Sequence, residues 1–300
     1  MSKRKKGRTT PEIMSETFKE DLSSISEATL DRMDLLEGHV RKRCLGKSFS
    51  SADIYTIIII IHALKLWSEN RNIYRFDSGL LQEIKKMEDA DIPAEALAPP
   101  FPCVYVDLHG QLKEYDGAFV IFREWSRNRN KRQKHIALCF VKGRERKRTF
   151  ITLSAWIKER DGINQIVHEL VNEALPYEDA MLILRIILYL SSSKPDIEKR
   201  QFCEGSKRSK KASQQDPVIE WDVGLRYTVE KRRDHVQSRN LQNNDVEKGH
   251  KRPRPHIRKA HWHLYWTGEG KQTPRVRWVQ PMFINTGKAE SIPVVVRKEE

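Results

Sequence analysis

GAFVIFREWSRNRNKRQKHIALCFVK, residues 117–142, decides how this chain folds. Two β-branched and aromatic runs, GAFVIFREW and KHIALCFVK, flank a polar, basic connection. Such side chains are stiff at χ1 and pack well on a pleated surface, so runs of this length bounded by turn residues predict strands. CVYVDL (103–108) and RTFITLS (148–154) have the same character on either side. Four such runs in succession predict an antiparallel meander. Its connections, SRNRNKRQ and GRERKR, are intensely basic, and residues 127–148 hold a single acid, Glu145. Two adjacent hairpin ends of one sign would make a positive ridge for an anion, or a charged edge that discourages strand-to-strand association.

Upstream, the apolar period becomes helical. In SSADIYTIIIIIHALKLWSEN (50–70), Ile54, Ile57, Ile58, Ile61 and Leu64 recur at helical spacing, and the length favours a helix over a strand. Ser50 or Ser51 can cap it. Its apolar stretch, about fourteen residues with His62 and Lys65 inside, is too short for a membrane span, so a buried helix and no membrane are expected. Asp77 begins a short helix through Lys86, and proline-rich ADIPAEALAPPFP (90–102) reads as a connection. Leu30, Met33, Leu36 and Val40 predict a helix over 26–44 with Gly46 as its stop. Thr10–Pro11 predicts an N-cap followed by proline at the first helical position. The first ten residues are basic, either a solvated tail or an arm that touches nucleic acid.

Downstream, helices are predicted at about 160–173 and 176–190. The second, PYEDAMLILRIILYL, is apolar nearly all round and belongs in the core. Residues 191–217 read as a polar linker, VIEWDVGLRYTVEKRR (218–233) as a strand passing into a helix, and 237–255 as loop. The expected class is α+β: a helical amino-terminal part packed on a mostly antiparallel sheet, two further helices and a terminal β-hairpin. The expected divisions are 1–50 (basic tail and helices), 51–190 (helical and meander core), 191–255 (basic linker and loops) and 256–300 (hairpin module).

The 300 residues carry 55 Lys and Arg against 41 Asp and Glu, a formal charge of +14, which favours an anionic partner. The four cysteines, Cys44, Cys103, Cys139 and Cys203, contain no CxxC pair. MSKRKKGRTT is basic with no apolar segment behind it, so no secretory leader is expected. Reduced thiols and a cytoplasmic location fit this pattern. No phosphate-binding loop, GxSxG or HExxH is present. Asp107, Glu114 and Asp116 lie close in sequence, but strand alternation gives them no common focus, and a solvated rim is expected.

PHIRKAHWHLYWTG (255–268) concentrates the candidate chemistry. As a strand it has two unlike faces. Ile257, Lys259, His261, His263 and Tyr265 share one, and Arg258, Ala260, Trp262, Leu264 and Trp266 the other. After the turn TGEGKQTP, a second strand places Arg275, Arg277 and Val279 on one face and Val276 and Trp278 on the other. Pairing the apolar faces would align Arg275 and Arg277 with the histidines. Four readings follow. His261 and His263 could share a metal ion, yet no third or fourth ligand is near and the cations repel one; no metal or other cofactor is expected. They could act as acid and base in metal-independent RNA cleavage, with the arginines stabilising the phosphorane. The face could bind a phosphate backbone and stacked bases, or an acidic peptide. The hairpin could also be purely structural.

The segment RPRPHIRKAHWHLYWTGEGKQTPRVRWVQPMFINTG (252–287) resembles the type V-A anti-CRISPR proteins that suppress production of the type V-A effector nuclease. It carries that family's HIR…HWH.YW.G…RVRW…F.N.G pattern. NIYRFD (72–77), PCVYVDL (102–108) and KPDI (194–197) are weaker similarities in the family's order, so the resemblance spans roughly residues 50–290. It implies a non-enzymatic or indirectly acting inhibitor. Its partner would be the effector polypeptide as it is made, with the ribosome or the mRNA alongside, and the transcript is lost as a result. Such proteins travel on phages, plasmids and other mobile elements. A similar terminal module in bacterial proteins with no known CRISPR role allows translation-coupled silencing of another protein. By matching position the motif residues are His256, Ile257, Arg258, His261, Trp262, His263, Tyr265, Trp266, Gly268, Arg275, Val276, Arg277, Trp278, Phe283, Asn285 and Gly287. Strand alternation assigns Lys259, His261, His263, Tyr265, Arg275 and Arg277 to contact, with His256 and Arg258 as further candidates. Trp262, Trp266 and Trp278 are expected to pack, and Gly268 and Asn285 to shape the hairpin.

Overall fold

The computed structural model of the protein describes residues 9–26, 29, 33–43, 50–87, 92–108, 112, 115–128, 131–143, 149–158, 161–171, 175–200, 217–227 and 256–284. Helices α1 (Thr10–Thr17), α2 (Lys19–Ser24) and α3 (Met33–Arg43) lead to α4 (Ser51–Asn70). The cap of α1 is Thr9, one residue before the expected position: its N–H donates to Glu12 Oε2 at 2.8 Å, and Ile13 N–H donates to its carbonyl. In α4 the Ser50 hydroxyl accepts from Asp53 N–H at 3.1 Å while Asp53 Oδ2 accepts from Ser50 N–H at 2.9 Å, a reciprocal capping box.

The five-isoleucine run is helical because α4 is buried on two sides. Ile59, Ile60, Ala63, Leu64 and Trp67 pack on the sheet, whereas Ile54, Ile58 and Ile61 pack with Leu36 and Val40 of α3. A helix between two layers has no polar stripe to display. Arg71, left-handed at φ 50°, ends α4 and turns the chain at once into β1 (Asn72–Phe76). The Trp67 indole N–H donates to Asn72 O at 2.8 Å across that turn.

Helix α5 (Ser78–Lys85), capped by Asp77, follows β1 and leads to β2 (Cys103–Asp107). Then β3 (Gly117–Asn128), β4 (Lys131–Lys142) and β5 (Thr149–Ile157) form the predicted meander. Helices α6 (Ile163–Leu170) and α7 (Tyr177–Leu190) follow, then β6 (Ile197–Lys199) and β7 (Ile219–Val223). The sheet order is β5-β4-β3-β2-β1-β7-β6, with β1 parallel to β2 and β7 and the remaining pairs antiparallel. One face, through Val104, Val120, Leu138 and Leu153, packs under α5, α6 and α7. The opposite face, through Ile73, Tyr105, Phe119 and Cys139, packs under α4. The fold is therefore α+β, with the amino-terminal helices on one face of the sheet.

Two local expectations change. Successive turns of a meander lie at opposite ends of the sheet: the β3–β4 ladder ends at Asn128 and Lys131, and the β4–β5 ladder at Lys142 and Thr149, about 40 Å away by the length of a twelve-residue strand. The two basic connections therefore leave the sheet from opposite ends, and residues 129–130 and 144–148 lie outside the described residues. The interval 191–217, read as linker, contributes β6 as an edge strand. KPDI is a fastener there: Asp196 Oδ2 accepts from the N–H groups of Arg226 and Tyr227 at 2.8 and 3.1 Å, and Asp196 N–H donates to Tyr189 Oη at 3.1 Å.

Gly117 opens β3 where the buried Tyr105 ring crosses it. A Cβ there would overlap that ring and lie 2.7 Å from Val106 O. Gly117→Ala is expected to destabilise the protein by about 2 kcal/mol, a typical overpacking cost, measured by urea unfolding.

Candidate functional site

The carboxyl-terminal segment forms the expected hairpin, as two successive ladders in one register. β8 (His256–Arg258) pairs with β11 (Met282–Ile284), and β9 (His261–Thr267) pairs with β10 (Thr273–Val279). The ladders stop at Lys259–Ala260 and Gln280–Pro281, where proline has no N–H to donate. In the turn between β9 and β10, Gly268 and Gly270 hold φ of 79° and 67°, left-handed values that favour glycine. Thr267 Oγ1 donates to Thr273 O at 3.2 Å across its base.

The inner face of β9–β10 packs against the main core. Trp278 stands between two tyrosines, edge-on to Tyr189 at 5.3 Å and to Tyr227 at 5.1 Å. Val276 is 1% exposed, and its carbonyl accepts from Ser193 N–H at 3.1 Å. Trp262 and Leu264 pack against the same core. Trp266, expected to pack with them, is 47% exposed. It has the right parity and lies opposite Pro274, which is itself buried, so the core reaches this level under β10 while the Trp266 ring stays largely in solvent.

The outer face carries both arginines as expected, but only Arg277 lies opposite a histidine, His263; Arg275 lies opposite Tyr265, and Val279 opposite His261. Lys259, His263, Arg275 and Arg277 are exposed, and His261 and Tyr265 half-buried. His261 Nδ1 lies 3.2 Å from Lys259 O. The His263 and Tyr265 rings are nearly parallel, 19° between planes, with centroids 6.3 Å apart. Arg275 and Arg277 form no ion pair among the described residues, whereas Arg226 is paired with Glu198 at 2.7 Å and Arg75 with Glu220 at 3.2 Å. The side chains of His256 and Arg258, and Asn285 altogether, lie outside the described residues. Among the described residues no group of three or more His, Cys, Asp or Glu is arranged to hold a metal ion.

Two other polar clusters were not legible in the sequence. Arg75 Nε lies 3.3 Å from Asp107 Oδ2 and 3.2 Å from Glu220 Oε2, and Arg200 approaches Glu220 at 3.8 Å. Asp107 is thus an ion-pair partner within the sheet, not a solvated rim residue, and Glu114 lies outside the described residues. Between α4 and the sheet, His62 of α4 and His135 of β4 are both buried, with Arg123 paired across the ladder from His135.

A model of the AcrVA2-like family, the anti-CRISPR type V subtype A2 family, matches residues 74–286. The chain belongs to this family. The matched span runs from β1 through both ladders and includes Arg275, Arg277, His263 and Tyr265. Helices α1–α4 precede it. Among solved structures, the crystal structure of AcrVA2 matches with a TM-score of 0.58 at 19% identity, over 92% of this chain and 97% of that one. At this identity the likeness establishes the shared fold. No curated protein sequence matches the chain.

Proposed function

We propose that this type V-A anti-CRISPR protein acts on the production of the effector nuclease. It recognises the effector polypeptide during translation in the cytoplasm of the bacterial host, and the effector transcript is lost as a consequence. Family membership supplies the target system. The observation that carries the rest is the β9–β10 ribbon: one face is fixed in the core by Trp278 and Val276, while the other presents exposed cations and aromatic rings. A rigidly held, cationic surface suits contact with a translating complex, whose RNA is dense in negative charge.

Crosslinking in cells that are translating the effector tests this reading. Recovery of effector nascent chains together with effector transcript is expected; recovery of neither would contradict it. Replacing Arg275 and Arg277 together by alanine is expected to abolish suppression of effector production. Both side chains are exposed, so stability should change by less than about 0.5 kcal/mol, measured by thermal unfolding.

A further inference from the structure

We infer that the outer face of the β9–β10 ribbon binds single-stranded RNA. The inference rests on the reading that the protein acts on a transcript, and it names the component of the translating complex that this face meets. Four residues form a two-by-two array in which each aromatic ring has an arginine directly across the ladder: His263 with Arg277, and Tyr265 with Arg275. The rings are nearly parallel and 6.3 Å apart, a separation set by their i, i+2 placement on an extended strand. Successive unstacked bases use such rings as platforms, and the guanidinium groups beside them meet the intervening phosphates.

Charge complementarity favours this occupant. The described outer-face positions of β9 and β10 carry no acid; Glu269 sits in the turn. An acidic peptide would satisfy the arginines but has no use for two parallel rings. Duplex RNA hides its bases in the stack, and its deep, narrow major groove does not admit side chains. Because the inner face is fixed in the core, the array is held in place before it binds, which lowers the ordering cost.

The test uses the full-length chain and fluorescence anisotropy with a short labelled RNA, presented single-stranded and as a duplex, and with a polyaspartate peptide as competitor. Tighter binding of the single strand is expected, weakening steeply with salt. Arg275→Ala with Arg277→Ala should weaken binding by about tenfold or more and lower the salt slope by roughly 0.7 for each phosphate that is no longer neutralised. Tyr265→Ala should weaken it by about tenfold at unchanged charge, and Tyr265→Phe should retain it, which separates removal of the platform from failure to fold. Equal affinity for the two RNA forms with a silent Tyr265→Ala would overturn the inference. So would tighter binding of polyaspartate at this face. A chain that suppresses effector production but fails these tests overturns RNA binding alone; one that passes them yet leaves production untouched overturns the functional reading instead.

Discussion

Lowering the pH from 7 to about 4.5 is expected to destabilise the protein by several kcal/mol through two histidines buried between α4 and the sheet. His135 on β4 is 1% exposed, and its ring lies 4.7 Å from that of Trp156. Burial pushes its pKa down from 6.5 to about 4. His62 on α4 is held well below the ordinary value by burial, by the nearby Arg123 cation and by His135. In the unfolded chain both titrate near 6.5, so as the pH falls the unfolded state takes up protons first. The stabilisation is therefore fully present above the unfolded pKa and is lost as the pH falls toward the folded value. For His135 the shift corresponds to about 3 kcal/mol at about 1.4 kcal/mol per pKa unit, and His62 acts in the same direction. Thermal unfolding followed from neutral to acid pH should show a steady fall in Tm, made shallower by His135→Gln. A Tm that does not change over this range would contradict the buried, neutral assignment.

Replacing Trp278 by alanine is expected to cost about 3 kcal/mol, the lower end for removing a large aromatic, because Trp278 is only partly buried. The loss should be local as well as global. Without the indole between Tyr189 and Tyr227, the β9–β10 ribbon keeps Val276 and the Ser193–Val276 hydrogen bond as anchors. Its amides should then exchange much faster than those of the central sheet, and trypsin should cut at Arg275 and Arg277. Suppression of effector production should fall with the docking, and Trp278→Phe should retain most of both. Unchanged exchange in the ribbon would show that another contact holds it.

Much of this was legible in residue periodicity. The runs on either side of SRNRNKRQ and GRERKR gave the meander, and the apolar 177–190 gave a core helix. Alternation in HWHLYW and PRVRW predicted which residues share each face of the ribbon, but not the register that sets Arg275 opposite Tyr265 instead of a histidine. Asn72–Phe76 was missed as a strand. It is five residues long, follows α4 after a single left-handed residue, and is buried on both faces, so it shows no alternation. Trp266 shows the limit of parity: it says which face a residue takes, not how much of that side chain its neighbours cover, since Pro274 opposite is buried and Trp266 is not. The His62–His135 pair and the Arg75–Asp107–Glu220 cluster join distant segments, and only the strand order brings them together.

The most direct measurement is of effector protein and effector transcript in cells that express a type V-A effector beside either wild-type protein or Arg275→Ala/Arg277→Ala. Wild-type protein should lower both quantities, and the double variant, at unchanged Tm, should restore both. Undiminished suppression by the variant, or loss of effector activity at normal effector and transcript levels, would contradict action through this face on effector production.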